Sequence, residues 1–134
     1  MTSHDPEKVV REVFARLSSR DFDGMAELLA DDIEFDLAFA PAALPMPTRG
    51  RSAVHRLVAD IIGGMFDPMT LEVTTTYPCA DPAMLVVEYA SEGVVTHNGN
   101  RYANRYVGIF RVDDGRLGFW REYHNPEAAT RALG

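Results

Sequence analysis

Four stretches in the second half of the chain, Leu71 to Tyr77, Met84 to His97, Arg101 to Val112 and Leu117 to His124, are rich in β-branched and aromatic residues. Turn-forming residues separate them, so they predict an antiparallel meander. The first half reads differently. Asp5-Pro6-Glu7 is a helix start, because the carboxylate caps free amides and proline suits the first helical position. Val10, Val13, Phe14 and Leu17 then recur at helical spacing. Asp21 caps a second, short helix whose inner face carries Phe22, Met25, Leu28 and Leu29. At Ile33, Phe35, Leu37 and Phe39 the period switches to two and marks a first strand. From Ser52, a good cap, the residues Val54, Leu57, Val58, Ile61 and Ile62 form a third helical stripe that stops at Gly63-Gly64. Asn125-Pro126-Glu127 caps a short terminal helix. Three helices first and strands afterwards is an α+β order, in which the helices pack on one side of the sheet. With 134 residues the chain forms a single domain over 1–134, enclosing one pocket for a small, largely apolar molecule.

Several function classes drop out on composition. The net charge is −7, and the 13 basic residues are scattered rather than gathered into a stripe, so nucleic acid is not an expected partner. No apolar run approaches the roughly 20 residues needed to cross a bilayer, and no membrane role is expected. The first residues lack a basic start followed by an apolar stretch, and the single cysteine, Cys79, cannot form an internal disulfide, so the default location is cytoplasmic. His4, His55, His97 and His124 are far apart in sequence, and no two share helical ligand spacing, so no metal site is expected. Gly63-Gly64 ends a helix rather than following a strand, which argues against a phosphate cradle, and no cofactor is expected. Residues 40–49, with Pro41, Pro45 and Pro47, cannot continue a ladder and read as a loop over the pocket mouth or a plain linker.

Turn chemistry sets the expected register. Asn98-Gly99 suits a two-residue turn and pairs His97 with Asn100, hence Ser91 with Tyr106, Tyr89 with Gly108, Val87 with Phe110 and Glu92 with Arg105. Asp113-Asp114-Gly115 suits a three-residue loop and pairs Val112 with Arg116. Gly108 then faces Trp120 and leaves room for the indole, while Tyr106 faces Glu122 and Asn104 faces His124. One face of the sheet then carries Tyr89, Ser91, Asn104, Tyr106, Trp120, Glu122 and His124, a polar-aromatic mixture suited to a ligand pocket. A two-residue Asp114-Gly115 loop would instead turn Phe119, Arg121 and Tyr123 to that face. The opposite face mixes Val86, Ala90, Val107 and Ile109 with Arg105 and Arg121. That composition fits a self-complementary interface, or apolar positions covered by long Arg stems.

The order of elements resembles the SnoaL-like and ketosteroid-isomerase-like branch of the nuclear transport factor two superfamily. In the last 30 or so residues the likeness narrows to the phenazine-biosynthesis A/B proteins. It rests on Asn104-Arg105-Tyr106-Val107-Gly108-Ile109-Phe110, Asp113-Asp114-Gly115-Arg116-Leu117, Arg121-Glu122-Tyr123-His124-Asn125-Pro126 and Arg131-Ala132-Leu133-Gly134. The resemblance implies a cone-shaped, curved antiparallel sheet with three helices on its concave side, and a homodimer through the convex face. It also implies that Trp120, Glu122 and His124 point inward. In the phenazine proteins the acid of the Arg-Glu-aromatic motif is a pocket acid/base, and Glu122 stands at that position. Their third-helix histidine falls near Leu57 or Val58, and His55 is an imperfect substitute. The tyrosine and two aspartates of the ketosteroid isomerases align with Val13, Leu37 and Gly108, so steroid isomerisation by that mechanism is not expected.

The candidate residues each have a plainer alternative. Glu122 is the candidate acid/base, since a carboxylate facing an apolar cavity loses hydration and its pKa rises; otherwise it is a surface Glu paired with an Arg. His124 can shuttle a proton or simply bond the following turn. Tyr89, Tyr106 and Asn104 can donate to a developing oxyanion, and Ser91 shares their face, although buried packing explains the tyrosines nearly as well. Trp120, Phe35 and Leu37 supply apolar wall or ordinary core, and His55 lies on the rim of the third helix. Two functions follow. One is a cofactor-free enzyme moving protons on a cyclic or aromatic carbonyl compound, by isomerisation, cyclisation, dehydration or condensation; the other is a non-catalytic module that binds a small hydrophobic ligand or serves as a dimeric partner. An epoxide hydrolase would need an Arg-x-Asp strand pair in the pocket, and none lies on the expected pocket face, since Arg111-Val112-Asp113 has the opposite parity.

Overall fold

The computed structural model describes residues 5–134, so the readings made on His4 and on the leading residues lie outside the described residues. Helix α1 (Pro6–Ser18) starts where Asp5 accepts the Glu7 amide at 3.1 Å, and it buries Val9, Val10, Val13, Phe14 and Leu17. Helix α2 (Phe22–Ala26) is capped by Asp21, which accepts from the Gly24 amide at 2.9 Å. Strand β1 (Leu29–Leu37) ends before Phe39, which is 53% exposed and packs edge-on to Tyr123. A two-residue strand, β2 (Thr48–Arg49), then pairs with β1, and α3 (Arg51–Val58) continues into a wider π-helical stretch over Ala59–Gly63. Its cap is Gly50, with φ at 94°; Ser52, the expected cap, lies inside the helix.

The remaining elements are β3 (Phe66–Pro78), β4 (Met84–Val95), β5 (Arg101–Asp113), β6 (Arg116–His124) and α4 (Pro126–Leu133). They form one six-stranded sheet in the order β2-β1-β6-β5-β4-β3, antiparallel except that β1 runs parallel to β6. The expected α+β architecture holds, with helices α1, α2 and α3 on one side of a mostly antiparallel sheet. No described helix is long and apolar enough to cross a membrane. Strand β3 begins earlier than expected because Gly93 lets its backbone approach. A Cβ at Gly93 would lie 2.6 Å from the Pro68 carbonyl oxygen, beside a bulge that accommodates the proline.

Both hairpins close differently from the expected registers, yet each leaves the same residues inside. In the β4–β5 turn the Val95 amide donates to Asn100 at 2.8 Å and the Gly99 amide to Val95 at 2.9 Å, so residues 96–99 form the loop. Ser91 therefore faces Asn104, Tyr89 faces Tyr106 and Val87 faces Gly108, a shift of two residues from the predicted pairs. An even shift preserves the faces. Tertiary anchors hold the wider turn: Thr96 donates its amide to Met65, and the side-chain amides of Asn98 and Asn100 both donate to the Ala132 carbonyl. Glu92 faces Ala103, not Arg105, and its ion pair is with Arg101 at 3.6 Å.

The β5–β6 turn is the two-residue form. Asp114 and Gly115 both have positive φ, 51° and 77°, and Asp113 pairs with Arg116. That register alone would turn Phe119 and Arg121 inward. Gly118 prevents it as the extra residue of a bulge: Val112 pairs with Leu117, but Arg111 pairs with Phe119, which restores the original parity. Phe110 thus faces Trp120, Gly108 faces Glu122, and Tyr106 faces His124. The expected pairing of Gly108 with Trp120 is corrected. The space over Gly108 is filled by Phe110 and Tyr89, whose ring carbons would lie 2.5 Å and 2.9 Å from a Cβ there.

Candidate ligand cavity and its buried carboxylate

Two apolar clusters flank the inner face of the sheet. The larger joins α1 and α3 to the sheet, with Phe14 seated 4.5 Å from the Tyr89 ring and 5.9 Å from Phe110. The smaller, built on Phe66, Met69, Val95, Tyr102 and Ala132, lies under α4. A cavity of about 370 Å³ bordered by both clusters draws its walls from β1, α3 and its π-helical extension, β3, β5, β6 and α4. Pro41 and Leu44 from the proline-containing loop reach it too. Its surface is overwhelmingly apolar, and Glu122 is the one carboxylate on it.

Glu122 is placed by the Gly118 bulge and held from behind by Tyr89, whose hydroxyl donates a short hydrogen bond to Oε1. Its surface is partly accessible because it opens on the cavity, but protein encloses the group, and burial pushes its pKa up to about 7. The Tyr89 hydroxyl, and then the nearby Trp120 indole, pull the other way and limit the rise. Trp120 Nε1 nevertheless completes no hydrogen bond of good geometry, and neither does His124 Nδ1. Burial holds His124 below its ordinary 6.5, so the imidazole is neutral at pH 7. Burial also raises Tyr89 well above the usual tyrosine range, with the Glu122 charge adding to it, so that hydroxyl remains a donor.

Of the residues singled out in the sequence, Glu122, His124, Trp120, Tyr106, Phe35 and Leu37 line the cavity. Tyr89, Ser91 and Asn104 lie on the same face but behind the wall. Tyr89 stacks under Tyr106 at 4.9 Å, Ser91 Oγ is 2.7 Å from the Tyr106 hydroxyl, and Asn104 is occupied with Tyr102 and the Asn125 backbone. Asn104 is therefore a framework residue and has no free donor for a substrate. His55 is a further correction: it turns toward α2, where Nε2 lies 3.2 Å from Asp23. Asp36 is partly covered and pairs with Arg121 at 3.0 Å on the outer side. The sequence reading missed Tyr102, although its parity along β5 is that of Asn104 and Tyr106, and that spacing was sufficient to find it. It also missed Met65, Phe66 and Met69, because the start of β3 carries no clean alternation, and Ala129 and Leu133, whose short helix shows its role only when docked. Among the described residues no three His, Cys, Asp or Glu side chains gather where they could hold a metal ion. A second, more open groove of about 350 Å³ lies on the outer face, near Arg105, Val107 and Tyr123.

The sequence itself matches a family profile. The profile of the SnoaL-like domain covers residues 10–118. This chain belongs to the SnoaL-like family. An uncharacterized PhzA/B-like protein of Pseudomonas aeruginosa is 26% identical to this SnoaL-like chain over 121 residues, 88% of this chain and 82% of the relative. A Bacillus subtilis crystal structure, whose isomerase assignment is itself provisional, superposes with a TM-score of 0.90 at 24% identity, covering 97% of this chain and 93% of that one. A Mycobacterium tuberculosis protein crystallised with estradiol-17β-hemisuccinate gives 0.81 at 19% identity, covering 92% and 96%. At these identities the two structures establish the shared fold.

Proposed function

We propose that this SnoaL-like domain is an enzyme of cofactor-independent acid/base chemistry, moving protons on a small cyclic or aromatic carbonyl compound in an isomerisation, cyclisation, dehydration or condensation. The observation that carries this reading is Glu122: a carboxylate on the wall of an apolar cavity, with a pKa raised to about 7. A group poised there exchanges protons in either direction near neutral pH. Tyr89 engages Oε1 and anchors one side of the carboxyl, while the group borders the cavity, where a substrate can reach it. Trp120 and Phe35, edge-on at 4.9 Å, supply a flat apolar wall against which a ring can lie. Neutral His124, two residues along the same face, can receive or orient a proton.

The test begins with thermal-shift screening of wild type and Glu122→Gln against aromatic acids, cyclic ketones and polyketide-like compounds. Hits are then followed by NMR for exchange of acidic C–H protons in deuterated water. The expected result is retained binding with exchange slowed by about 10²-fold or more in Glu122→Gln, the usual contribution of a general base. Equal exchange in both proteins would remove Glu122 from the chemistry.

A second reading is a non-catalytic module holding a small hydrophobic ligand. It draws support from the lining, in which a single carboxylate is set among apolar side chains, and from the steroid ester bound by the Mycobacterium tuberculosis protein. Tight binding without turnover, indifferent to Glu122→Gln, would select it. In either case the outer sheet face, where Val107 is 38% exposed beside Arg105 and Tyr123, is the proposed homodimer surface. Sedimentation of wild type and Val107→Glu tests that assignment, with a monomeric variant expected.

A further inference from the structure

Three buried hydroxyls run behind and into the cavity wall: Ser91 Oγ, 2.7 Å from Tyr106, and Tyr106, 2.9 Å from Tyr102. They bring three hydrogens to two links. Each link consumes one hydrogen, so one is left over. No acceptor for it outside the trio lies within hydrogen-bonding distance among the described residues. Asn104 constrains where it points. That amide's oxygen accepts from the Arg105 and Asn125 backbone amides at 2.8 and 3.2 Å, so its nitrogen is the atom facing Tyr102, donating to the phenol at 2.8 Å and to the Asn125 carbonyl at 2.9 Å. Tyr102 is thus an acceptor from one side. If Ser91 donates to Tyr106 and Tyr106 donates to Tyr102, every buried oxygen in the trio is served and the spare hydrogen lies on Tyr102. The reverse direction would strand it on Ser91, which is 2% exposed and does not border the cavity, and donation to Tyr106 from both neighbours would leave it on Tyr106 and break the relay toward Tyr102. Tyr102 does border it, with its ring stacked on Phe66 at 4.9 Å and with Met69 and Leu133 in the surrounding wall.

We propose that Tyr102 is the cavity's second polar anchor: a hydroxyl backed by two donors that gives its hydrogen to a carbonyl or enol oxygen of the ligand. The proposal rests on the reading of this cavity as a ligand site and extends it, because the ligand must then carry an acceptor oxygen as well as a proton for Glu122. Cooperative polarisation strengthens such a terminal donor, and the apolar wall removes competing water. Burial keeps the phenol above its ordinary pKa and so protonated at neutral pH, while the Tyr106 and Asn104 donors favour charge on its oxygen.

The test is a matched pair of bicyclic probes, 1-tetralone and its hydrocarbon counterpart tetralin, bound to wild type, Tyr102→Phe, Ser91→Ala and Glu122→Gln. Tyr102→Phe is expected to weaken tetralone about tenfold, the ordinary worth of one hydrogen bond, and to leave tetralin within about twofold. Ser91→Ala, which removes the first donor of the chain, gives a smaller loss in the same sense. The selective loss of tetralone on Tyr102→Phe persists in the Glu122→Gln background. In wild type, the infrared carbonyl stretch of carbonyl-¹³C-labelled tetralone shifts to lower frequency on binding, and the shift is lost in Tyr102→Phe. Equal losses for both probes would mean that the hydroxyl serves only the framework. An unchanged tetralone affinity would mean that the spare hydrogen lies elsewhere, on Tyr106 or within the trio. Either result overturns the proposal, as does failure of both probes to bind. All of these readouts are binding, so a chain that holds tetralone on Tyr102 but never exchanges its protons would refute the enzyme reading alone.

Discussion

The Glu122 carboxyl is governed by two opposed influences, and the balance between them is adjustable one atom at a time. Burial favours the neutral acid, while the Tyr89 hydroxyl on Oε1 favours the carboxylate. Removing that hydroxyl in Tyr89→Phe leaves the burial in place, so the Glu122 titration, followed by carboxyl ¹³C NMR, is expected to move upward from about 7 by about one pH unit. A midpoint that stays or falls would show that the bond does not stabilise the charged form. That Glu122 faces inward was legible from the alternation along its strand, although the turn expected to set that parity is not the one that forms. Asn104 was misread as a substrate donor because nothing in the sequence shows that the Asn125 backbone and the Tyr102 hydroxyl take up its amide.

Strand register shows where element-scale reading succeeds and where it stops. Alternation along β4, β5 and β6 identified the inner face, but turn chemistry misjudged both hairpins. The width of the first turn is set by side chains reaching α4 and Met65, contacts that exist only after folding. In the second, the alternative two-residue Asp114-Gly115 turn forms, and the parity is rescued by Gly118, a glycine within a strand that is itself a bulge signal. Deleting Gly118 removes the extra residue and leaves every later pairing in place, so Phe119 still meets Arg111 and Trp120 and Glu122 are expected to keep the inner face. Retained cooperative thermal unfolding is the outcome to look for, and its loss would show that the bulge itself is needed. Gly108→Ala makes a different demand. Its Cβ would crowd Phe110 and Tyr89 at 2.5 and 2.9 Å, with an expected loss of about 1–3 kcal/mol in denaturant unfolding. An unchanged midpoint would show that the two rings can yield.

At the scale of the whole molecule, the same acid couples stability to pH. Its native pKa, about 7, lies above the ordinary 4.5, so between those values the folded protein holds a proton that the unfolded chain has released. This contribution therefore favours folding at low pH and is lost as pH rises through the window, by at most about 3 kcal/mol. Glu122→Gln should flatten that slope, gaining on wild type at pH 8 relative to pH 5 when urea unfolding is compared. The overall class was legible from helices preceding strands, as was a proline loop at the cavity mouth, but the parallel seating of β1 against β6 was not, since periodicity carries no information about which strands become neighbours. That seating has a consequence for how the protein comes into being. Asp36 and Arg121, paired across the seam, are 85 residues apart, and β1 meets no other long strand. On a ribosome the first strand emerges long before its partner, so the walls that shelter Glu122 close only when nearly all of the described chain is out. The chain must spend most of its synthesis with an unpaired strand edge, the interval in which a chaperone, or another copy of β1, has the opportunity to bind it.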